Sequence, residues 1–98
     1  GKEEKPMKYS VVIRSVFDND RPLKAVASVT LDDAVAIHNV KVIKTADKTF
    51  VAMPFEVYTH KDGKETRRDV VHPITTEVRK NLEDAVIAAY EQEIAENN

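Results

Sequence analysis

The sequence has no cysteine, no tryptophan and only two glycines, Gly1 and Gly63, in 98 residues. Without cysteine the chain can form neither a disulfide framework nor a thiolate metal site, and it has no cysteine nucleophile. Two glycines are too few for the glycine-rich loops that hold phosphate groups. These absences exclude several common classes of enzyme and metalloprotein.

Long apolar segments are missing as well. No run approaches the roughly 20 residues that a membrane helix requires, and the opening GKEEKPMK lacks the apolar stretch of a secretory signal. We therefore expect a soluble, cytoplasmic protein with no membrane partner. Hydrophobic residues make up 42% of the chain, which suffices for one small domain but not for two. Self-association would bury more surface and stabilise such a small core.

The net charge of −2 conceals an uneven distribution. Residues 1–40 carry six basic and six acidic side chains, residues 41–80 carry nine and six, and residues 81–98 carry none and five. A nucleic-acid-binding protein often has a strongly basic total, and this chain does not. An anionic partner would therefore be held by a local basic patch. The alternative is a mixed charged surface without such a partner.

Alternation of apolar and polar residues predicts β-strands through most of the chain. The first strand starts at Tyr9, and turn-forming residues 18–22 separate it from a second strand over residues 23–31. Asp32 and Asp33 then form a short polar turn rather than a catalytic carboxylate pair, because adjacent residues of a strand point to opposite faces.

The third predicted strand, residues 34–43, is apolar on both faces. This pattern is typical of a central strand or of a strand in an interface. Val40 and Val42 lie on the face opposite Ile37 in a regular strand, so we identify them as candidates for a dimer interface.

Further strand patterns cover residues 50–54, 55–59 and 64–71. Asp62-Gly63 separates the last two and strongly predicts a hairpin, because glycine adopts a positive φ without steric cost. The period then changes to that of a helix, whose apolar positions are Val78, Leu82, Ala85, Val86 and Ala89. Thr75 or Thr76 is suited to cap its first turn.

This order of elements predicts an α+β fold with two layers. An antiparallel sheet of five to six strands carries one C-terminal helix packed on it, because a lone helix must bury its apolar stripe on the sheet. We expect a flexible lead-in over residues 1–7, one domain over residues 8–95, and a frayed end over residues 96–98.

Catalytic chemistry has little support in the sequence. The three histidines, His38, His60 and His72, lie in separate segments without the ligand spacing of zinc sites. The serines lie outside any nucleophile-elbow motif. We therefore expect no catalytic residue, no metal, no cofactor and no small-molecule substrate, and we predict that the protein is not an enzyme.

Basic residues are the remaining candidates for function. They cluster around the predicted hairpin and in the first turns of the predicted helix, where side-chain charge and helix amides can together bind phosphates. Tyr58 offers one stacking surface nearby. For Arg79 the alternative is a surface pair with Glu83 that plays no part in binding. The predicted nucleic-acid-binding residues are Lys61, Lys64, Arg67, Arg68, Arg79 and Lys80.

Several strings in the chain resemble the stage V sporulation protein G (SpoVG) family in the same order. They are residues 24–33 (KAVASVTLDD), 36–43 (AIHNVKVI), 50–54 (FVAMP), 68–74 (RDVVHPI) and 82–86 (LEDAV), followed by Tyr90. The resemblance covers roughly residues 8–92, which is nearly the whole predicted domain.

The resemblance implies a small bacterial α+β domain that forms homodimers. It also implies a regulator that binds DNA, and also RNA, and is linked to septation, sporulation and gene regulation. The family's nucleic-acid contacts are associated with basic residues near the C-terminal helix, and here Arg68 and Arg79 stand at matching positions. A second hypothesis stays open: a non-catalytic interaction module that pairs through sheet edges without binding nucleic acid.

Overall fold

A computed structural model describes residues 6–97 of the chain. These residues form six strands and one helix: β1 (Tyr9–Val16), β2 (Leu23–Leu31), β3 (Val35–Lys44), β4 (Thr49–Ala52), β5 (Phe55–Thr59), β6 (Glu65–Asp69) and α1 (Thr76–Glu96). Strands β1 to β4 make one antiparallel sheet in chain order, and β5 pairs with β6 in a separate hairpin. The predicted α+β fold is confirmed, with its six strands divided into four and two.

The predicted ends of the domain coincide only in part with the described residues. Most of the lead-in predicted over residues 1–7, and the last residue of the predicted frayed end, lie outside them. The described helix runs to Glu96, and the backbone N–H of Asn97 donates to the carbonyl of Ile94. Within residues 6–97, no helix combines the length and the apolar character needed to cross a membrane.

The turn between β2 and β3 is made by the two aspartates, as predicted. Asp32 and Asp33 have φ angles of 52° and 55°, the left-handed conformation that a tight hairpin of this type requires at both central positions. The carboxylate of Asp32 accepts a hydrogen bond of 2.8 Å from the backbone N–H of Lys8. These carboxylates therefore hold a turn and the entry to β1.

The helix covers one face of the four-stranded sheet. Its first turn is capped by Thr75, whose hydroxyl accepts a 3.1 Å hydrogen bond from the backbone N–H of Val78. Leu82, Val86 and Tyr90 are buried against the sheet. The strand residues of this core are Ala25, Ala27, Val29, Ile37, Val40, Val42 and Val51, and they are joined by Met53. We call this side the core face and the opposite side of β1–β4 the outer face.

A bulge in β3 corrects the prediction for Val40 and Val42. Ala27 pairs with Val40 while Val29 pairs with Ile37, so β3 has one residue more than β2 between these pairs. The extra residue allows Ile37, Val40 and Val42 to share the core face. Val40 and Val42 are 0% exposed in the single chain, so they have no surface left for a partner and do not form a dimer interface directly.

Candidate nucleic-acid interface

The hairpin β5–β6 presents basic side chains on both of its faces. Its turn uses Gly63 at a φ of 85°, as the Asp-Gly pair predicts. Val57 pairs with Arg67 and Glu56 pairs with Arg68, so the two arginines point to opposite faces of the ribbon. Every residue of β6 is exposed.

The end of this hairpin and the start of α1 enclose a shallow depression of about 560 Å³. Its lining side chains are Arg67, Arg68, Asp69, His72 and Arg79. We call it the arginine groove. Three arginines and one aspartate line it, so the groove attracts anions although the chain as a whole is acidic.

Aromatic rings hold two of these arginines in place. The guanidinium carbon of Arg67 lies 3.8 Å from the ring centroid of Phe55, and that of Arg68 lies 5.7 Å from the ring of Tyr58. The Tyr58 hydroxyl donates a 2.8 Å hydrogen bond to the carboxylate of Glu56. This hydrogen bond and the Glu56 charge raise the pKa of Tyr58, although Arg68 opposes them. Stacking keeps the guanidinium groups extended while their N–H donors stay accessible.

The arginines of the groove form no ion pair with another of the described residues, so they remain available to a ligand. Within residues 6–97 the ion pairs are Lys8–Asp33 at 3.0 Å and Lys80–Asp84 at 2.8 Å. The structure therefore shows no pair between Arg79 and Glu83, the alternative considered for Arg79. The hydrogen bond from Lys80 to Asp84 raises the pKa of Lys80, and the pair lies exposed on the helix surface.

The structure brings together only part of the predicted set. Arg67, Arg68 and Arg79 line the groove, whereas Lys61 and Lys64 lie at the hairpin turn, outside it. Lys80 lies outside the groove as well. His72 was not predicted to join the basic residues, because the chain order alone does not show that the His-Pro segment turns back beside β6.

Outside the groove, a further polar cluster surrounds Ser28. Among the described residues, no three acidic or histidine side chains are close enough to hold a metal ion. Ser28 Oγ lies 2.9 Å from His38 Nδ1, which is the spacing of a nucleophile and its base. The same Oγ also accepts a 3.2 Å hydrogen bond from Arg14 Nε and is nearly inaccessible, so the contact is suited to positioning the neighbouring side chains.

Comparison with known proteins identifies the family. The SpoVG family model matches residues 7–92. The chain belongs to the SpoVG family. Relatives that carry the name SpoVG and are assigned to septation include a protein of Finegoldia magna, 42% identical over 89% of this chain and 77% of its own length. A relative from Clostridioides difficile is 38% identical over 92% of this chain and 94% of its own length.

Proposed function

We propose that this SpoVG-family chain is a dimeric, non-catalytic regulator that acts in the cytoplasm by binding nucleic acid through its arginine groove. The regulated genes belong to septation and sporulation, in keeping with the family to which the chain belongs. The observation that carries the proposal is the meeting of Arg67, Arg68 and Arg79 in one accessible groove, where none of them forms an ion pair with another of residues 6–97.

The location of Arg79 supports phosphate binding. Arg79 lies in the first turns of α1, and its backbone N–H bonds the carbonyl of Thr75, the capping residue. The free amides of a helix start carry partial positive charge, which adds to the field of the three guanidinium groups. A phosphate bound by Arg79 would therefore also lie in the positive field of the helix start.

The shape of the hairpin favours a duplex as one ligand. A two-stranded ribbon fits the major groove of B-DNA, which is roughly 12 Å wide. The hairpin carries Arg67 and Arg68 on its opposite faces and Lys61 and Lys64 at its tip. In this arrangement the β5–β6 ribbon enters the major groove of the DNA, while Arg79 at the start of α1 contacts the phosphate backbone of the DNA.

A second copy of the chain would be bound through the edge of β1. This edge strand is eight residues long, and the described residues contain no strand on its free side. Val12 and Val16 are 49% and 43% exposed there. Antiparallel pairing of two β1 strands would cover the β1 edge of each chain and join the two four-stranded sheets. Light scattering should return about twice the 11.1 kDa of the single chain, and a monomer at micromolar concentration would contradict the dimer.

A binding titration tests the groove. Duplex DNA and RNA would each be titrated at two salt concentrations with the parent chain and with an Arg68→Ala/Arg79→Ala variant. Arg21→Ala/Lys44→Ala is the matched control, because it removes the same charge from residues that do not line the groove. The groove variant should bind duplex much more weakly, and the control nearly like the parent. If the folded groove variant binds both ligands like the parent, the proposal is wrong.

The exposed edge of β1 also favours a second candidate function. A strand from another protein could pair with that edge, with the basic hairpin merely solvated. In that case, neither nucleic acid would bind in the titration, and lysine at the exposed edge positions Val12 and Val16 would weaken association with the partner.

A further inference from the structure

The two layers of the fold carry opposite charge. Strands β1–β4 contain Arg14, Lys24, Lys41 and Lys44 and no acidic residue. Helix α1 contains six acidic and two basic residues. The small net charge therefore results from a positive sheet layer and a negative helix layer, and the outer face of the sheet is the side turned away from the acidic helix.

The outer face carries cations beside half-buried apolar side chains. Val26 pairs with Lys41 and Ile43 pairs with Phe50 across it, and these side chains are half-buried in the single chain. Lys48 lies over the Phe50 ring, with its Nζ 4.9 Å from the centroid. Within residues 6–97, no second helix covers this face.

Hydrogen bonds across three strands hold the side chains of Arg14 and His38 on this face. Arg14 of β1 donates to Ser28 of β2 at 3.2 Å, and Ser28 contacts His38 of β3 at 2.9 Å. Ser28 is only 5% exposed and serves as the anchor, whereas Arg14 and His38 are exposed. The remaining N–H groups of Arg14 and the free ring nitrogen of His38 are left to bind a ligand.

The cationic surface continues from the sheet to the hairpin through Phe55. Lys41 Nζ lies 4.9 Å from the centroid of this ring, and Arg67 also lies over it. A guanidinium plane or an aromatic ring can stack on a nucleobase, and the lysines can contact the phosphates between bases.

The geometry points to a second nucleic-acid site on the outer face, which takes single-stranded RNA or DNA. A four-stranded sheet is too broad for the major groove of a duplex, which admits a helix or a two-stranded ribbon. An unpaired strand can instead lie across the sheet, with bases on Phe50 and Arg67 and phosphates near Arg14 and Lys41. This site is separate from the arginine groove proposed for duplex, apart from Arg67 at the junction.

An Arg14→Ala/Lys41→Ala variant tests the site. The probe is a fluorescein-labelled oligouridylate of about 12 nucleotides. This length is within the roughly 4–16 nucleotides that a single-strand-binding domain covers. The variant should bind it at least about fivefold more weakly, and its log–log salt slope should fall by up to about 1.4, since each phosphate contact on a single strand contributes roughly 0.7. Duplex binding should be little changed.

Arg21→Ala/Lys44→Ala is the matched control, since it removes the same charge and Lys44, although on the same strand as Lys41, lines a depression beside Tyr90 and Ile94 of α1. It should bind the oligouridylate like the parent. Amide chemical shifts of the parent provide a measurement that does not depend on any variant folding. Addition of the probe should shift residues of the outer face more than those of α1.

The outcomes separate this inference from the proposed function. If the Arg68→Ala/Arg79→Ala variant loses duplex binding but still binds the oligouridylate, the result supports both the arginine groove as the duplex site and the outer face as the single-strand site. Equal loss of the oligouridylate in that variant, with no effect of Arg14→Ala/Lys41→Ala, would place the single strand in the groove and overturn the inference. A fall in molecular mass of the Arg14→Ala/Lys41→Ala variant by light scattering would show that these cations support self-association rather than a nucleic-acid ligand, which also overturns it.

Discussion

Arg67 lies over the ring of Phe55 with its guanidinium carbon 3.8 Å from the ring centroid. The contact joins the two proposed binding surfaces, because Arg67 also lines the arginine groove and Lys41 of the outer face approaches the same ring. A stacked guanidinium loses less side-chain freedom when it binds a ligand than a solvated one does.

Replacement of Phe55 should weaken binding without changing any charge. In Phe55→Leu, Arg67 loses a cation–π contact worth about 0.5–1 kcal/mol, so affinity for nucleic acid should fall roughly two- to fivefold. Phe55→Tyr keeps the ring and should bind like the parent. Fluorescence anisotropy at one salt concentration measures the difference. Equal affinities of all three proteins would show that Arg67 does not need the ring.

The salt dependence of duplex binding should report on Arg79. Each phosphate that a cation neutralises contributes about −0.9 to the log–log slope, so Arg79→Ala should flatten it by up to about 2 if both chains of a dimer engage. Lys80 is bound to Asp84 at 2.8 Å, so Lys80→Ala should change the slope less. A larger effect of Lys80 than of Arg79 would contradict the groove as the phosphate site.

Asn39 should be sensitive to the shape of its replacement. It has a φ of 61° at the bulge of β3, a conformation that asparagine and glycine tolerate and that β-branched residues do not. Asn39→Val should lower the free energy of unfolding by about 1–2 kcal/mol, whereas Asn39→Gly should be nearly neutral. Urea unfolding monitored by circular dichroism compares them. Equal stability of the two variants would show that the bulge does not require a positive φ.

Tyr90 should make the fold sensitive to alkaline conditions. Burial, followed by the charge of Asp18, raises the pKa of Tyr90 above its ordinary value of 10.0. The unfolded chain then ionises first, so this residue's contribution is complete below pH 10.0 and is lost as the pH rises from there through the folded pKa. Tyr90→Phe removes the ionisable hydroxyl and with it this pH dependence.

Urea unfolding at about pH 8 and about pH 10.5 measures the effect of Tyr90 on stability. The parent should lose more stability between these conditions than Tyr90→Phe does. The variant keeps the buried ring, so its stability at the lower pH provides the internal control. Parallel losses in the two proteins would show that Tyr90 does not ionise differently in the folded and unfolded states.

Much of the fold followed from the sequence, because alternation, turn residues and the helix period are local signals. The Asp32-Asp33 turn, the Gly63 hairpin and the Thr75 cap are all confirmed. The bulge at Asn39 gave no such signal, since alternation assumes that no residue is inserted. That single residue reversed the expected face of Val40 and Val42.

The candidate site was only partly predictable. The sequence indicated that Arg67, Arg68 and Arg79 could approach each other, because few residues separate β6 from α1. It did not show that Lys80 pairs with Asp84, since the choice between pairing and binding depends on side-chain geometry. The opposite charge of the two layers was also hidden, because counting charge along the chain mixes strands with the turns between them.

The order of elements has a consequence for synthesis of the protein. Each strand of the main sheet pairs with its neighbour in sequence, so β1–β4 can pair as they leave the ribosome. Their core face, including Val29 and Val42, stays uncovered until the helix with Leu82 and Val86 has been made. Stalled nascent chains that end before α1 should therefore bind a hydrophobic dye, and those that include it should not. A newly made chain exposes an apolar face until α1 emerges, and transiently exposed surface of this kind is prone to aggregation.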